Sequence, residues 1–389
     1  MALIDFRVSG YRSIRDVWLK LRPINVIVGP NGCGKSNLYR AMYLLHCAAT
    51  GQFAQALTEE GGMRSIMWAG NRSKFERKKC ASLRLSVRFD KFEYRLVCAQ
   101  VGPDEGAAGP FYADPEIKSE DVYVYNGEQK STLLKRRRQH IEARDADGKV
   151  IEYALNVLHN ESVLTALRDP YKFRQLFALR EEFLNWRFYH NFRTDADSMI
   201  RRKQIGALTP VLSHDGRDVA AAIETIQTAG DFDALQKSLI EAFPDSRVFV
   251  DRDENSRRII CMQSEGLNRA FDASELSDGT LQYLCLVAAL LSGRAPSLLA
   301  LNEPEGSLHP RLFEPLARLI VRASKQSQIW LTTHSTELAD FILEFSGYEP
   351  LELKNVEGET KLSGVGLGGY KEYGDDEPEA DDDSEFNDK

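Results

Sequence analysis

The chain has 389 residues, of which 43% are hydrophobic and 28% are charged, and its formal net charge is −8. This composition is that of an ordinary globular protein, and no apolar run reaches the roughly eighteen residues that a membrane helix needs. The charged start "MALIDFRVSGYRS" lacks the apolar centre of a signal peptide, so we expect a cytoplasmic protein without a membrane partner.

The first third of the chain predicts strands around one helix. The segment "LIDFRVSGYRSIRDVWLKL" alternates apolar and polar residues, which predicts two paired strands. The run "INVIV" (Ile24–Val28) predicts a short buried strand, followed by a glycine-rich loop and a helix from Ser36 to about Ala48. Residues 82–101 predict further strands, and the next alternating stretch predicts a hairpin that turns at Asp147-Gly148.

The remaining elements predict an α/β core. From about Glu161 to Ala229 the pattern is mostly helical, and the last third alternates helices with strands such as "SLLALNE" and "QIWLTTH". That alternation predicts a parallel sheet flanked by helices. We find no sustained heptads and therefore expect no long coiled coil.

The negative charge is concentrated at the end of the sequence. The stretch from Asp375 to Lys389 holds nine acidic residues and one lysine, so the rest of the chain has 49 basic and 49 acidic residues. We expect this acidic tail to be disordered. A solubilising role is favoured over shielding a basic surface or binding a partner. The six scattered cysteines lack metal-ligand spacing, which argues against a zinc site or a disulfide framework.

The octapeptide "GPNGCGKS" (Gly29–Ser36) fits the pattern G-x-x-x-x-G-K-[ST] between a predicted strand and a predicted helix. Its glycines let backbone N–H groups surround phosphate oxygens at the start of a helix. The lysine supplies a positive charge for the β- and γ-phosphates, and the serine supplies a ligand for Mg²⁺. The sequence therefore predicts a nucleotide site formed by Asn31, Gly32, Cys33, Gly34, Lys35, Ser36 and Asn37.

Two further segments place polar residues at the ends of predicted strands. Asn302 and Glu303 end "SLLALNE", and a carboxylate there can orient and deprotonate an attacking water. His334 ends "QIWLTTH", where an imidazole can contact a γ-phosphate. Each signal alone is common in structural roles. Together with a phosphate loop, they make Glu303 and His334 candidates for catalysis.

The stretch "SELSDGTLQYL" opens a predicted helix with Ser277, Asp278 and Gly279. A hydroxyl and backbone N–H groups at a helix start attract phosphate, so the chain holds a second candidate phosphate-binding device. A serine N-cap followed by a turn glycine is the structural alternative.

The order of phosphate loop, "LSDGT", "LNEPE" and "TTHS" resembles the ATP-binding-cassette (ABC) ATPases of the SMC/RecF-like branch. More narrowly, it resembles standalone bacterial AAA-family ATPases that begin with "GYRSIRD". The resemblance implies an α/β ABC-type ATPase head with a parallel-sheet nucleotide-binding core, an antiparallel β lobe and an inserted helical lobe. The implied domains are 1–160 and 231–350 as two parts of the head, 161–230 as the inserted lobe, and 351–389 as an extension with the acidic tail.

The resemblance also implies a mechanism in which two heads form a homodimer around two ATP molecules. Ser277 and Gly279 of one head would complete the site of the other, and Ser307 would lie in a loop that crosses the interface. Arg12 and Ser13 would approach the nucleotide.

Within one head, the resemblance implies that Glu303 is the catalytic base and that His334 contacts the γ-phosphate. Ser36 and Asn302 would bind Mg²⁺. Ser277, Asp278 and Gly279 correspond to the signature motif of these ATPases. Asp278 replaces the central glycine of that signature, and Asn302 stands where the usual Mg²⁺-binding motif has an aspartate, so slow turnover is expected. The candidates for a Q-loop glutamine are Gln100 and Gln139.

We expect an ATPase whose ATP-dependent dimerisation acts as a switch in DNA-associated work, either genome maintenance or phage defence. The candidate partners are DNA and an effector or nuclease protein. The alternative is a regulatory scaffold that binds ATP with little turnover and gates a separate effector or nuclease subunit. The basic run "KRRRQH" (Lys135–His140) favours a solvated strand over a nucleic-acid contact. For "RFYHNFRTDADSMIRRK" (Arg187–Lys203), packing within the lobe and contact with a partner or nucleic acid both remain open.

Overall fold

The computed structural model describes residues 1–70, 82–100, 114–153 and 157–363, and the predicted acidic tail lies outside them. The strands are β1 (Leu3–Tyr11), β2 (Ile14–Lys20), β3 (Ile24–Val28), β4 (Leu83–Phe89), β5 (Phe92–Gln100), β6 (Pro115–Asn126), β7 (Gln129–Arg137), β8 (His140–Arg144), β9 (Val150–Tyr153), β10 (Arg187–Tyr189), β11 (Gln204–Ile205), β12 (Ser246–Arg252), β13 (Arg257–Ser264), β14 (Phe271–Asp272), β15 (Leu298–Asn302), β16 (Gln328–Thr333), β17 (Leu351–Val356) and β18 (Glu359–Leu362). The α-helices are α1 (Lys35–Thr50), α2 (Phe53–Glu59), α3 (Met63–Ile66), α4 (Val163–Ala166), α5 (Arg174–Leu184), α6 (Val219–Ala229), α7 (Phe232–Ala242), α8 (Asp278–Leu290), α9 (Phe313–Ala323) and α10 (Thr336–Ser346). Two short 3₁₀ helices span Met199–Arg201 and Pro310–Leu312.

A six-stranded sheet positions the predicted nucleotide site. Its order is β10-β15-β16-β3-β17-β18, with parallel pairing from β10 through β17 and an antiparallel β18 at the edge. Strands β3 and β15 are runs of mostly buried residues, as expected for a parallel sheet covered on both faces. The carboxyl ends of β3, β15 and β16 meet at one edge, so the residues that follow them come together there. The predicted parallel core is confirmed.

An eight-stranded antiparallel sheet, ordered β2-β1-β4-β5-β6-β7-β8-β9, forms the β lobe. The predicted pair β1 and β2 and the predicted strands of residues 82–101 are present. The predicted hairpin that turns at Asp147-Gly148 is present as β8 and β9, and the same segment also contributes β7. A tight turn at Arg138, where φ is 54°, comes before the expected turn, and alternation of apolar residues alone does not reveal it.

Helix α1 is buried between the two sheets. Its side chains, among them Leu38, Met42 and Leu45, share one hydrophobic core with the inner face of the antiparallel sheet and with Trp330 of β16. Phe6 of β1 packs edge-to-face on Trp330, with ring centroids 5.9 Å apart, which is a favourable aromatic geometry. The start of α1 is therefore fixed relative to both sheets.

Residues 161–230 contain helices α4 to α6 together with β10. Helix α5 packs on α1, α6 packs on α7 and α8, and β10 adds a strand beside β15. The predicted extension begins with β17 and β18, which belong to the six-stranded sheet. The domain boundaries remain predictions.

A third, smaller sheet, ordered β11-β13-β12 with β14 against β13, packs on α6 and α7. Helix α1, with 16 residues, is the longest helix in the described part of the chain. No described helix therefore reaches the three or four heptads of a coiled coil. Within the same residues, no helix is long and apolar enough to cross a membrane.

The basic run at the end of β7 is largely compensated by acidic neighbours. Arg136 is fully buried and faces the buried carboxylate of Glu120. Arg137 pairs with Asp121 at 2.7 Å. Lys135 and Arg138 are exposed, and the Nε of Arg138 lies 3.7 Å from Glu116. These contacts favour the structural interpretation of this run over a nucleic-acid contact.

Candidate functional site

The loop between β3 and α1 has a backbone that favours glycine. Gly29, Gly32 and Gly34 have φ values of 153°, 77° and 108°, which glycine adopts without a Cβ penalty. A Cβ on Gly34 would lie 2.1 Å from Thr360 Oγ1, so this position has no room for a side chain. Cys33 is buried beneath the loop. The N–H groups of the first turn of α1 have no intrahelical acceptor, which makes this helix start a potential anion site.

Lys35 is only 3% exposed, and its ammonium turns back into the loop. Its Nζ donates to the carbonyl oxygens of Gly29 (2.6 Å) and Pro30 (3.2 Å) and lies 3.1 Å from His334 Nδ1. An ammonium can only donate hydrogen bonds, so Nδ1 accepts and His334 carries its proton on Nε2. Anionic phosphate oxygens would be stronger acceptors for Lys35 than these neutral carbonyls.

Glu303 follows β15 in a left-handed conformation with φ of 48°. Its backbone N–H donates to the carbonyl oxygen of Thr332 at 2.8 Å, which fixes the turn against β16. Its Oε1 accepts the Nε2–H of His334 at 2.5 Å, and both side chains are 37% exposed. Lys35, His334 and Glu303 therefore form a continuous line of contacts from the phosphate loop to a carboxylate.

The two predicted magnesium ligands lie at the same edge of the sheet. Ser36 is exposed in the first turn of α1, and the Oδ1 of Asn302 accepts a hydrogen bond from Thr332 Oγ1 at 2.9 Å. Hydroxyl and amide oxygens are hard ligands, and Mg²⁺ commonly binds through few protein ligands plus waters and substrate phosphates. The donor set fits a hydrated Mg²⁺ bound with ATP, but it lacks the charge that an aspartate would add.

Arg12 and Ser13 lie in the turn between β1 and β2, beside the loop. The guanidinium of Arg12 contacts Glu60 at 2.8 Å. Ser13 Oγ accepts from Asn37 Nδ2 at 2.8 Å and lies 2.7 Å from Thr360 Oγ1. Ser13 therefore connects the first turn of α1 to strand β18.

The hairpin of β17 and β18 closes one side of the phosphate loop, and the sequence analysis missed this role. The N–H of Thr360 donates to the carbonyl of Ser13 at 2.8 Å, and Asn355 Nδ2 donates to the carbonyl of Gly32 at 3.3 Å. The stretch "LELKNVEGETKL" has the composition of a hairpin, but nothing in it indicates which loop it covers.

Glu305 is a second carboxylate that the sequence analysis missed. Its Oε1 accepts from Thr333 Oγ1 at 2.5 Å and from the backbone N–H of His334 at 2.8 Å. Its Oε2 is buried and lacks a hydrogen-bond partner among the described residues. Glu305 therefore holds the backbone that carries His334. Its position two residues after Glu303 was the available signal.

The predicted signature lies at the start of α8. Ser277 is the N-cap, and its Oγ accepts a backbone N–H of the first turn at 3.2 Å. A Cβ on Gly279 would lie 2.4 Å from the carbonyl oxygen of Ser307, so the glycine permits a close contact with the segment that follows Glu303.

The two candidate Q-loop glutamines lie at the antiparallel sheet, whereas His190 lies at the six-stranded sheet. Gln100 ends β5, and Gln139 is exposed between β7 and β8, so a Q-loop role for either stays a prediction. His190 directly follows β10. Burial, and then Arg40, lower the pKa of His190, and the nearby Glu303 carboxylate opposes that shift. His190 thus lies at the same edge of the sheet as Glu303.

Comparison with known proteins decides the family. The family described as "AAA domain, putative AbiEii toxin, Type IV TA system" matches residues 24–340, more than half of the chain. The chain belongs to this family of AAA ATPases. The predicted AAA-family ATPase is thereby confirmed, and the nucleotide-binding ATPase character follows from the family. The significance of the "GYRSIRD" start stays a prediction.

A solved structure shows the SMC-head fold that the sequence predicted. An Smc head bound to the C-winged helix domain of ScpA is similar with a TM-score of 0.50 and 14% identity, covering 94% of this chain and 99% of that one. An Smc head domain with an extended coiled coil, bound to the C-terminal domain of ScpA derived from Pyrococcus furiosus, gives a TM-score of 0.48 at 13% identity, covering 94% and 96%. The uncharacterised protein MJECL11 of Methanocaldococcus jannaschii is 30% identical over 86 residues, 21% of this chain and 75% of that protein.

Replacing Glu305 with alanine should slow phosphate release about tenfold, because the backbone and hydroxyl donors around His334 lose their shared acceptor. ATP binding should change little, since the Lys35 loop is untouched. Phosphate release and nucleotide titration measure the two effects. The exposed Glu337 in the first turn of α10 provides a matched control, Glu337→Ala. A Glu305→Ala protein that turns over at the wild-type rate would contradict this role.

Proposed function

We propose that this AAA-family protein hydrolyses ATP, and that ATP joins two copies of its head so that the nucleotide state acts as a switch. The observation that carries the proposal is the line of contacts from Lys35 through His334 to Glu303. It places a phosphate-binding cation and a potential general base on opposite sides of one imidazole.

Binding of ATP would begin at the loop. Phosphate oxygens would replace the carbonyls of Gly29 and Pro30 as acceptors for Lys35, because charged acceptors form stronger hydrogen bonds. The N–H groups at the start of α1 would stabilise the remaining negative charge. Mg²⁺, held through Ser36 and Asn302, would supply further charge neutralisation at the phosphates when bound.

Hydrolysis would use Glu303 as the base. Water attacks the γ-phosphorus and gives a proton to Glu303, while the bond to the bridging oxygen breaks to leave ADP and phosphate. His334 occupies Oε1 of Glu303, which leaves Oε2 for the water. Asn302 adds no charge at the metal, which favours slow turnover.

The signature is the reason to propose two heads. Ser277 and the start of α8 would form a second phosphate-binding device, in which Gly279 lies against the carbonyl of Ser307. A second copy of the chain would bring the device to the ATP of the first copy. Each complete site would then contain residues of two chains.

A regulatory scaffold with little turnover is the second candidate, and Asn302 is the observation that favours it. Such a scaffold would bind ATP and dimerise in the same way, and it would gate a separate effector or nuclease protein. The two candidates differ in the rate of phosphate release. The cytoplasmic location expected from the sequence belongs to both proposals.

Three variants test the ATPase proposal. Lys35→Ala should abolish ATP binding, because it removes the cation of the loop. Glu303→Gln should bind ATP normally but release phosphate about a hundredfold more slowly, as expected for loss of a general base. Lys325→Ala, which removes an exposed lysine in the turn after α9, is the matched control.

For the wild type, phosphate release per chain should rise with protein concentration, because a complete site needs two heads. Nucleotide titration and phosphate release over a wide concentration range measure these effects. Release per chain that is independent of concentration in a monomeric protein would contradict the two-head site. Binding without measurable release would favour the scaffold.

DNA-associated work, in genome maintenance or phage defence, is the output we propose for the switch. The outer face of the antiparallel sheet supports it with arginines over aromatic rings: Arg88 lies 4.5 Å from the Tyr125 ring centroid and Arg95 lies 5.4 Å from that of Tyr123. Such pairs suit phosphate contacts and base stacking. Glu93 lies among them and offsets part of the charge.

DNA binding by the ATP-bound protein should weaken about tenfold or more between about 50 and 200 mM salt, because phosphate contacts release counterions. The double variant Arg88→Ala/Arg95→Ala should bind more weakly and show a shallower salt dependence. The control is Arg318→Ala on α9. Binding that ignores salt would contradict a phosphate-contact surface, and an unchanged slope in the double variant would exclude this face.

A further inference from the structure

Arg201 connects the segment after β10 to the signature loop, which is the segment of residues 273–278 that leads into α8. Its Nη1 donates to the carbonyl oxygens of Ala273 (3.0 Å), Ser274 (3.2 Å) and Leu276 (2.7 Å), and its Nη2 pairs with Asp278 Oδ1 at 2.7 Å. The side chain is 11% exposed. One guanidinium therefore contacts both the segment that precedes α8 and the first residue of that helix.

The backbone around Arg201 fixes where its side chain starts. Arg201 ends a 3₁₀ helix whose N-cap, Ser198, is buried and accepts the N–H of Ile200 at 3.2 Å. Ile200 is itself buried in the core. The Nε of Arg201 donates to the carbonyl of Thr194 at 2.8 Å. The guanidinium is thus held from its own segment and from the signature loop at once.

The geometry of these contacts needs an arginine. A guanidinium presents donors in a rigid planar fork, whereas a lysine ammonium is a single point on a flexible stem. In a trans peptide the C=O and the next N–H point in opposite directions. Because the Leu276 carbonyl faces Arg201, the Ser277 N–H points away from Arg201. The arginine therefore sets the orientation of the signature backbone.

The pairing also compensates the unusual signature residue. Asp278 is 56% exposed and lies at a helix start where we propose that phosphate binds. An uncompensated carboxylate there would repel the phosphate. The Arg201 guanidinium at 2.7 Å offsets that charge without removing the carboxylate.

The signature is held from a second side by the segment after Glu303. A Cβ added to Gly279 would lie 2.4 Å from the carbonyl oxygen of Ser307, which is too close for a side chain. Strands β10 and β15 are neighbours, with Tyr189 aligned to Leu301. The two segments that hold the signature therefore leave the sheet side by side at the edge that carries Glu303.

We propose that Arg201 is a positioning residue of the ATPase reaction, which holds the signature loop in the conformation that receives the γ-phosphate of ATP bound to a second copy of this chain. The inference rests on the proposed head dimer and deepens it by naming the residue that prepares the signature. In this arrangement, Arg201 affects hydrolysis of the ATP bound to the other chain and not of the ATP bound to the chain that contains it.

A mixing experiment tests this assignment, because loss of the signature and loss of the loop affect different sites. Arg201→Ala alone should release phosphate about tenfold more slowly than the wild type, while a single chain still binds ATP. Lys35→Ala alone should be inactive. In the mixed dimer, the loop of the Arg201→Ala chain meets an intact signature, so one of the two sites is complete. The mixture should therefore release phosphate faster than the mean of the two variants measured separately.

Three controls define the result. Ser277→Arg blocks the signature directly and should recover in the same mixture with Lys35→Ala. Glu303→Gln should not recover, because its base and loop serve the same site. Arg202→Ala removes the same charge from the neighbouring exposed residue and should hydrolyse ATP like the wild type. Arg201→Lys keeps a charge near Asp278 without the fork and should stay impaired, and it replaces Arg201→Ala if that variant fails to fold.

Each outcome distinguishes the inference from the proposed function. Recovery with both Ser277→Arg and Arg201→Ala supports the assignment. If only the mixture with Ser277→Arg recovers, or if unmixed Arg201→Ala hydrolyses ATP at the wild-type rate, the role of Arg201 is overturned and the proposed head dimer is not. No recovery in either mixture, with wild-type protein that hydrolyses ATP, contradicts the head dimer itself.

Discussion

The ammonium of Lys35 lies where three segments that are distant in sequence meet. It is held by carbonyls of its own loop and lies 3.1 Å from His334, which in turn donates to Glu303. This geometry requires that β3, β15 and β16 end at one edge of a parallel sheet. The packing of α1 between the two sheets then fixes the loop to that edge. The rest of the fold serves to keep these three strand ends in register.

Two glycines stand where a neighbouring segment leaves no room for a side chain. Gly34 packs against Thr360 of the C-terminal hairpin, and Gly279 packs against the carbonyl of Ser307. The first contact fixes the phosphate loop, and the second joins the signature to the segment after Glu303.

The sequence was sufficient for the features that have a local pattern. The phosphate loop, the strand before Glu303 and the strand before His334 follow from glycine spacing and short apolar runs. The position of Glu305 beside Glu303 was visible, but its role and that of Thr360 were not, because both roles depend on contacts between residues distant in the chain. Thr360 lies more than three hundred residues from the loop that it covers.

Arg201 shows the same limit. Its segment stood out for its mixture of basic and aromatic residues, but its target, the signature loop, is set by tertiary packing. The extra turn at Arg138 was also missed, because strand alternation continues through it.

The central claim is that ATP joins two heads through the loop of one and the signature of the other. The most direct test is the mass in solution of the Glu303→Gln protein with and without Mg-ATP, since this variant should retain the nucleotide. The account predicts a monomer without nucleotide and a doubled mass with it. A Glu303→Gln protein that binds ATP and remains a monomer would contradict the account.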